Sequence, residues 1–271
     1  MLFFCSFVIG ACIGSFINVV VYRLPRNESV ITPRSHCSHC DYQLKWHENV
    51  PLISWIVLKA KCSSCKREIS PSYFLIELFC ACFFYICNFA SPTNHLSTIA
   101  IIVTLGGWLF SSLLLSISLI DFRCFWIPES IIRIGILTGF GLNLFSTLNS
   151  GENSFQVIED SFIGSLVGLF LFLLIRKLAN IIFKKPALGM GDAKLASLIG
   201  AWLGVEGLII TIHLTFLFAG FVVMFGFIFS QIKPGQAIPL GPFLSLGAIL
   251  VWLFGNEAWM MASETIVNLI I

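Results

Sequence analysis

Charge is what this chain has least of. Asp, Glu, Lys and Arg make up 11% of its 271 residues, and the formal net charge is +2. So few charges cannot solvate the surface of an ordinary globular domain, which excludes a soluble enzyme of the usual kind. A balance this close to neutral supplies no basic footprint for nucleic acid, so no nucleic-acid partner is expected. Positive charge is also missing ahead of the first apolar run, where a cleavable signal peptide carries it. Arg23 and Arg26 follow that run instead. Internal repeats, low-complexity tracts and soluble-type dinucleotide or methyl-donor motifs are absent as well.

What fills the space is hydrocarbon. Hydrophobic residues make up 57% of the chain. Uncharged runs of membrane-spanning length cover residues 1–22, 78–96, 97–120, 207–232 and 236–256. In lipid, helices satisfy their own backbone, so the pattern predicts an all-α polytopic membrane protein that has the bilayer itself as a partner. About eight transmembrane helices are expected. The divisions are a first helix at 1–22, a polar loop at 23–72, a membrane domain at 73–255 and a tail at 256–271. The tail places Trp259, Met260, Ile266 and Leu269 on one amphipathic face.

Lysines and arginines fix the expected orientation. All of them fall in alternate loops or in the adjoining turns of the spans, and none lies in the turns near 91–97 or 148–152. The positive-inside rule then puts the N-terminus outside and the loop 23–72 in the cytoplasm.

That loop holds half of the 16 basic residues, together with Cys37, Cys40, Cys62 and Cys65. Two Cys-x-x-Cys pairs present four thiolates, the ligand set of a tetrahedral zinc site. Disulfides do not suit a reducing cytoplasmic loop. Four thiolates leave no open position, so the zinc is expected to be structural. Trp46, Pro51 and Trp55 are expected to form a small core between the pairs, with His36, His39 and His47 as spare ligands at most. Cys5, Cys12, Cys80, Cys82, Cys87 and Cys124 read as small hydrophobes.

Two carboxylates stand where spans meet the cytoplasmic boundary. Asp121 ends the third span. Asp192 follows Gly189-Met190-Gly191 and opens a short sixth span, which Gly204 to Gly207 cut off from the seventh. The glycines would permit positive φ and close backbone approach. Asp192 by itself reads equally as a helix cap or as a chemical group. A pair of neighbouring aspartates that share a proton supplies one general base and one general acid. The base can activate water against a peptide carbonyl while the acid protonates the departing amine. No Ser-His or Cys-His arrangement competes at that level. Asn18 reads as a helix-packing hydrogen bond and His213 as a packing residue, whereas Glu77 could face either the surface or a polar cavity. Arg123 would act on Asp121 if it lay close.

At these residues the sequence resembles the type IV prepilin peptidases, which are membrane aspartic proteases of the GxGD type. The resemblance runs through GSFINVVVYRLP at 14–25, the paired cysteines, WHENVPLISW at 46–55, Leu119-Ile120-Asp121, GMGD-x-K-L at 189–195 and PLGPF at 239–243. It implies cleavage of a short basic leader from type IV prepilins or secretion pseudopilins at the inner membrane of a bacterium. It further implies N-methylation of the new N-terminus with S-adenosyl-L-methionine. Carried over, the catalytic residues are Asp121 and Asp192, with Gly189, Gly191 and Lys194 supporting the catalytic loop. Two positions depart from the family's common pattern, Arg123 and the Glu129 that follows Pro128. Two other readings compete: a GxGD protease of other substrates without methyl transfer, and a non-enzymatic scaffold or transporter.

Overall fold

The computed structural model describes residues 2–90, 98–150, 154–183, 188–231, 233 and 236–270. The turns expected at 91–97 and 151–153, and Lys184 and Lys185, lie outside the described residues. So do the side chains of the tail at 260–270.

The chain divides into two compact units, residues 1–95 and 96–271. Among the described residues all regular structure is helical apart from isolated bridges. In the first unit the helices are α1 (Leu2–Arg23), α2 (Ile53–Val57) and α3 (Pro71–Ala90). The second unit contains α4 (Thr98–Cys124), α5 (Glu129–Ser150), α6 (Ser154–Phe183), α7 (Met190–Ile228) and α8 (Gly241–Ile270). Five of these are long and apolar enough to cross a membrane, namely α1, α3, α4, α6 and α7. A shorter apolar helix follows at Gly241–Asn256. The protein is a multi-pass membrane protein, and its large exposed side chains, such as Leu137, Phe170 and Leu217, are those a lipid-facing surface requires.

Helix α1 packs on α3. Small residues let the two backbones approach: a Cβ at Gly14 would lie 2.7 Å from the Cα of Glu77. Asn18 donates from Nδ2 to the carbonyl of Tyr73 at 3.1 Å, so it is the expected packing bond. At the other end of the pair Asn88 donates to Ser6 Oγ at 2.9 Å.

In the second unit α7 packs against α5, α6 and α8, and α4 packs against α8. Asn143 ties three helices together. Its Nδ2 donates to Ser161 Oγ at 2.7 Å and to the carbonyl of Ala201 at 3.1 Å. Such bonds between membrane helices contribute about 0.6 kcal/mol on average. Phe110 stacks on Trp202 with centroids 4.6 Å apart, and Trp202 Nε1 donates to the carbonyl of Gly135 at 2.8 Å.

The 39 residues of α7 are two helical halves joined at Gly204 (φ 69°, ψ −171°). They correspond to the expected sixth and seventh spans. Only glycine adopts this backbone without strain. Asp160 of α6 sits against the break and accepts from the N–H of Val205 at 3.3 Å. His213 departs from expectation: it is exposed, and its Nδ1 lies 2.8 Å from the carbonyl of Ile209 in its own helix. It packs against no other helix through that bond.

Candidate active site and metal centre

The second unit brings Asp121 and Asp192 together. Asp121 lies in the last turn of α4 and is 6% exposed, and Asp192 in the first turn of α7 is 8% exposed. Their carboxyl groups are close enough to act on one another electrostatically.

Each is held by one oxygen. Asp121 Oδ2 accepts from the backbone N–H of Gly241, the first residue of α8, at 3.0 Å. Asp192 Oδ2 accepts from the N–H of Gly189 at 3.1 Å. Among the described residues the Oδ1 atoms have no hydrogen-bond partner, which leaves one oxygen of each pair for water or substrate.

The local sequence explains the second bond. Gly189 is extended (φ −71°, ψ 150°) and serves as the N-cap, with Met190 as the first helical residue. Asp192 is therefore the third helical residue rather than the cap. From there it reaches back to the cap's N–H, one half of a capping box, and meets the positive end of the helix dipole. Neither Gly189 nor Gly191 takes positive φ, which corrects that expectation. At Gly191 the smallness serves close approach: a Cβ there would lie 2.9 Å from that of Ile127, in the segment between α4 and α5. Gly241 is similarly constrained, because its Cβ would fall 2.6 Å from Asp121 Oδ2.

Lys194 does not meet either aspartate in an ion pair. Its Nζ lies 3.0 Å from Glu129 Oε1 at the start of α5, and Arg133 pairs with the same carboxylate at 3.5 Å. Arg123 is exposed and forms no ion pair with Asp121 among the described residues. Gly241 and Glu129 are the contacts the sequence reading did not assign. Gly241 acts through its backbone and carries no side-chain signal. Its place in the motif PLGPF was the one available pointer.

The first unit assembles the four cysteines. The sulfurs of Cys37, Cys40, Cys62 and Cys65 all lie within 4.8 Å of one another, and those of Cys37 and Cys65 are 3.9 Å apart. A tetrahedron with ~2.3 Å metal–sulfur bonds has edges of about 3.8 Å, so the cluster could hold a metal ion and is suited to zinc.

The two pairs are folded alike. The N–H of Cys37 donates to the carbonyl of Tyr42, and that of Cys62 to the carbonyl of Arg67. The residue after each pair, Asp41 and Lys66, has positive φ. The N–H groups of Cys65 and then Ser64 face the Cys62 sulfur and draw its thiol down to about 7, toward the thiolate a metal needs. None of the three loop histidines joins the cluster. Trp46 corrects another expectation: it is 83% exposed and fills no core. Trp55 does pack, with its ring 5.1 Å from that of Phe74 and Nε1 donating to the carbonyl of Ile69 at 3.3 Å.

Known proteins match both units. Residues 8–90 match the profile "Bacterial Peptidase A24 N-terminal domain", and residues 108–225 match "Type IV leader peptidase family". A leader peptide-processing enzyme for type 4 prepilin-like proteins from Escherichia coli is 32% identical over 89% of this chain and 89% of its own length. This chain belongs to the type IV prepilin leader peptidase family. Proteins named prepilin leader peptidase/N-methyltransferase show the same likeness. The one from Stutzerimonas stutzeri is 29% identical over 93% of this chain and 91% of its own. The one from Vibrio cholerae is 29% identical over 90% and 94%. No solved structure matches.

Proposed function

We propose that this family member cleaves the basic leader of type IV prepilins or pseudopilins through Asp121 and Asp192, and methylates the N-terminus it creates. The observation that carries the reading is the pairing of these two buried carboxylates across 71 positions of sequence, each pinned by a backbone N–H and each with a second oxygen to spare. One aspartate, ionised, takes a proton from water as it attacks the scissile carbonyl. The other, protonated, gives its proton to the departing amine. Gly241 and Gly189 hold the two carboxylates in place, so little reorganisation accompanies the step.

The substrate class follows from the setting. A basic leader joined to a long apolar helix places its scissile bond at a polar–apolar boundary, the level at which this reading sets the C-terminal end of α4 and the beginning of α7. Lys and Arg placement supports an inner-membrane orientation with this boundary and the loop 23–72 in the cytoplasm. A cysteine placed at position 150 should then label only from outside.

The ligand set supports zinc as the metal held by Cys37, Cys40, Cys62 and Cys65. The zinc would be structural, folding the loop without taking part in the reaction. The methyl donor, by its relatives' names, would be S-adenosyl-L-methionine. It would supply an electrophilic methyl group, and the protein would supply the binding and orientation of both reactants.

The test is to incubate the purified protein and the donor with a pilin precursor and to weigh the product. A leaderless product carrying one methyl group is expected. A leaderless product without it would leave a peptidase alone, and an intact precursor would contradict the reading.

A further inference from the structure

A cavity of about 330 Å³ opens inside the first unit, between the polar loop and the facing sides of α1 and α3. That volume falls within the range of small-molecule sites. Its walls include Ser15, Asn18, Glu48, Trp55, Phe74 and Glu77. The aspartate pair lies in the other unit, so the peptidase chemistry leaves this cavity unexplained.

Its electrostatics are specific. Glu77 and Glu48 are each 9% exposed, and neither has an ion-pair partner among the described residues; Glu48 accepts from the N–H of Lys45 at 2.8 Å as the cap of its own turn, which leaves Glu77 as the carboxylate to explain. Arg23, in the same wall, is directed elsewhere: its guanidinium donates to the carbonyls of Ser29 at 3.1 Å and Arg34 at 3.4 Å. Arg67 turns to His39 at 2.7 Å. A buried carboxylate is costly without a cation or a full set of hydrogen bonds. Glu77 Oε2 accepts from the N–H of Leu52 at 2.8 Å, and the Ser15 hydroxyl also bonds this carboxylate, but no cation meets it among the described residues.

That donor is held under strain. Leu52 has φ 63° and ψ −50°, a conformation a leucine rarely adopts. Strained residues cluster at ligand clamps, where surrounding structure over-determines them. Here the strain aims a backbone N–H at Glu77 and fixes the carboxylate at the cavity wall. Nearby, Trp55 and Phe74, in contact at a tilt of 32°, present apolar ring surface.

We propose that this cavity binds the methyl donor, with Glu77 facing its cationic sulfonium and the Trp55–Phe74 wall taking the adenine. This rests on the methyl-transfer reading above. It assigns that reaction a site built from residues 15–77. In the transfer the amine's lone pair forms the new C–N bond while the S–CH₃ bond breaks and its electron pair returns to sulfur. The amine proton passes to a base, and neutral S-adenosylhomocysteine leaves.

The loss of charge at sulfur gives a test that does not depend on turnover. Binding of S-adenosylmethionine and of S-adenosylhomocysteine to the zinc-loaded full chain is measured by titration calorimetry. The wild type should bind the charged donor more tightly. Glu77→Gln should weaken the donor at least tenfold and bring the two affinities close together. Val19→Trp, which fills the cavity, should abolish binding of both, and Glu28→Gln, exposed and outside the cavity, should change neither. Zinc content reports whether each variant has kept its loop. Should Glu77→Gln lose zinc, photocrosslinking of labelled donor to the unaltered chain decides, with adducts expected on peptides covering 15–23, 48–55 or 70–77.

Adducts confined to 96–271, or wild-type affinity in both Glu77→Gln and Val19→Trp, would overturn the site and leave methyl transfer standing. A wild type that binds neither ligand would overturn the methyl-transfer reading, and the site with it.

Discussion

The Oδ2 atom of Asp121 accepts a 3.0 Å hydrogen bond from the N–H of Gly241, so the last turn of α4 and the first residue of α8 are joined at the carboxylate itself. The same glycine leaves no room for a side chain. Gly241→Ala should push the carboxylate aside and lower the kcat for leader cleavage roughly 10- to 100-fold, since displacements of about 1 Å cost that much in catalysis. KM for the precursor should change little. Steady-state kinetics on a purified precursor check this, and a wild-type kcat would remove Gly241 from the site.

Lys194 and Glu129 should matter less. Their pair is partly exposed to water, with 37% and 55% of the side chains accessible. Water screens pairs of this kind, and they contribute little. Lys194→Gln and Glu129→Gln should therefore slow cleavage by less than about 5-fold, and the double variant should match the worse single one, because each removes the same contact. High salt should shrink the differences further.

The thiolate cluster should be needed for the loop but not for hydrolysis as such. Elemental analysis of the purified chain should find one zinc per molecule. Cys37→Ser and Cys62→Ser should lose it and make residues 23–72 sensitive to protease, because metal binding and folding are coupled in such loops. A chelator strong enough to strip zinc should do the same to the wild type. Zinc-free wild type with a protease-resistant loop would contradict the assignment.

Gly204→Ala tests the break in α7. Alanine at φ 69° is strained, and its Cβ would overlap the carboxylate of Asp160. Together these should destabilise the protein by about 1–3 kcal/mol. Thermal unfolding in detergent should show a lower midpoint, while Gly220→Ala, where a Cβ meets nothing within 4 Å, should not.

Much of this was legible because the governing signals are covalently local. Apolar runs gave the helices, Gly204 gave the break within α7, and the spacing of the cysteine pairs gave the cluster. Asp121 and Asp192 stood out as carboxylates at the ends of apolar spans. What the sequence hid was carried by backbone groups or by packing at a distance. Gly241 contributes an N–H, which every residue but proline has, so nothing in its side chain announces the contact with Asp121. Glu77 could not be placed from spacing, because its partner is the N–H of Leu52 at a turn whose shape no local pattern encodes. Trp46 is expected, with Pro51 and Trp55, in a small core between the cysteine pairs. The two cysteine pairs are instead folded by their matching turns, and that ring is left in the open.

The account rests on Asp121 and Asp192 acting as one unit, and Asn substitution tests that most directly. Asn keeps the size and the hydrogen bond from Gly241 or Gly189 but cannot exchange a proton. Precursor cleavage by purified, zinc-containing Asp121→Asn, Asp192→Asn and the double variant should be followed by mass spectrometry. Each single variant should be inactive, and the double variant should be no worse than either, as expected for residues that act together. Cleavage by either single variant at a rate near that of the wild type would contradict the two-aspartate mechanism.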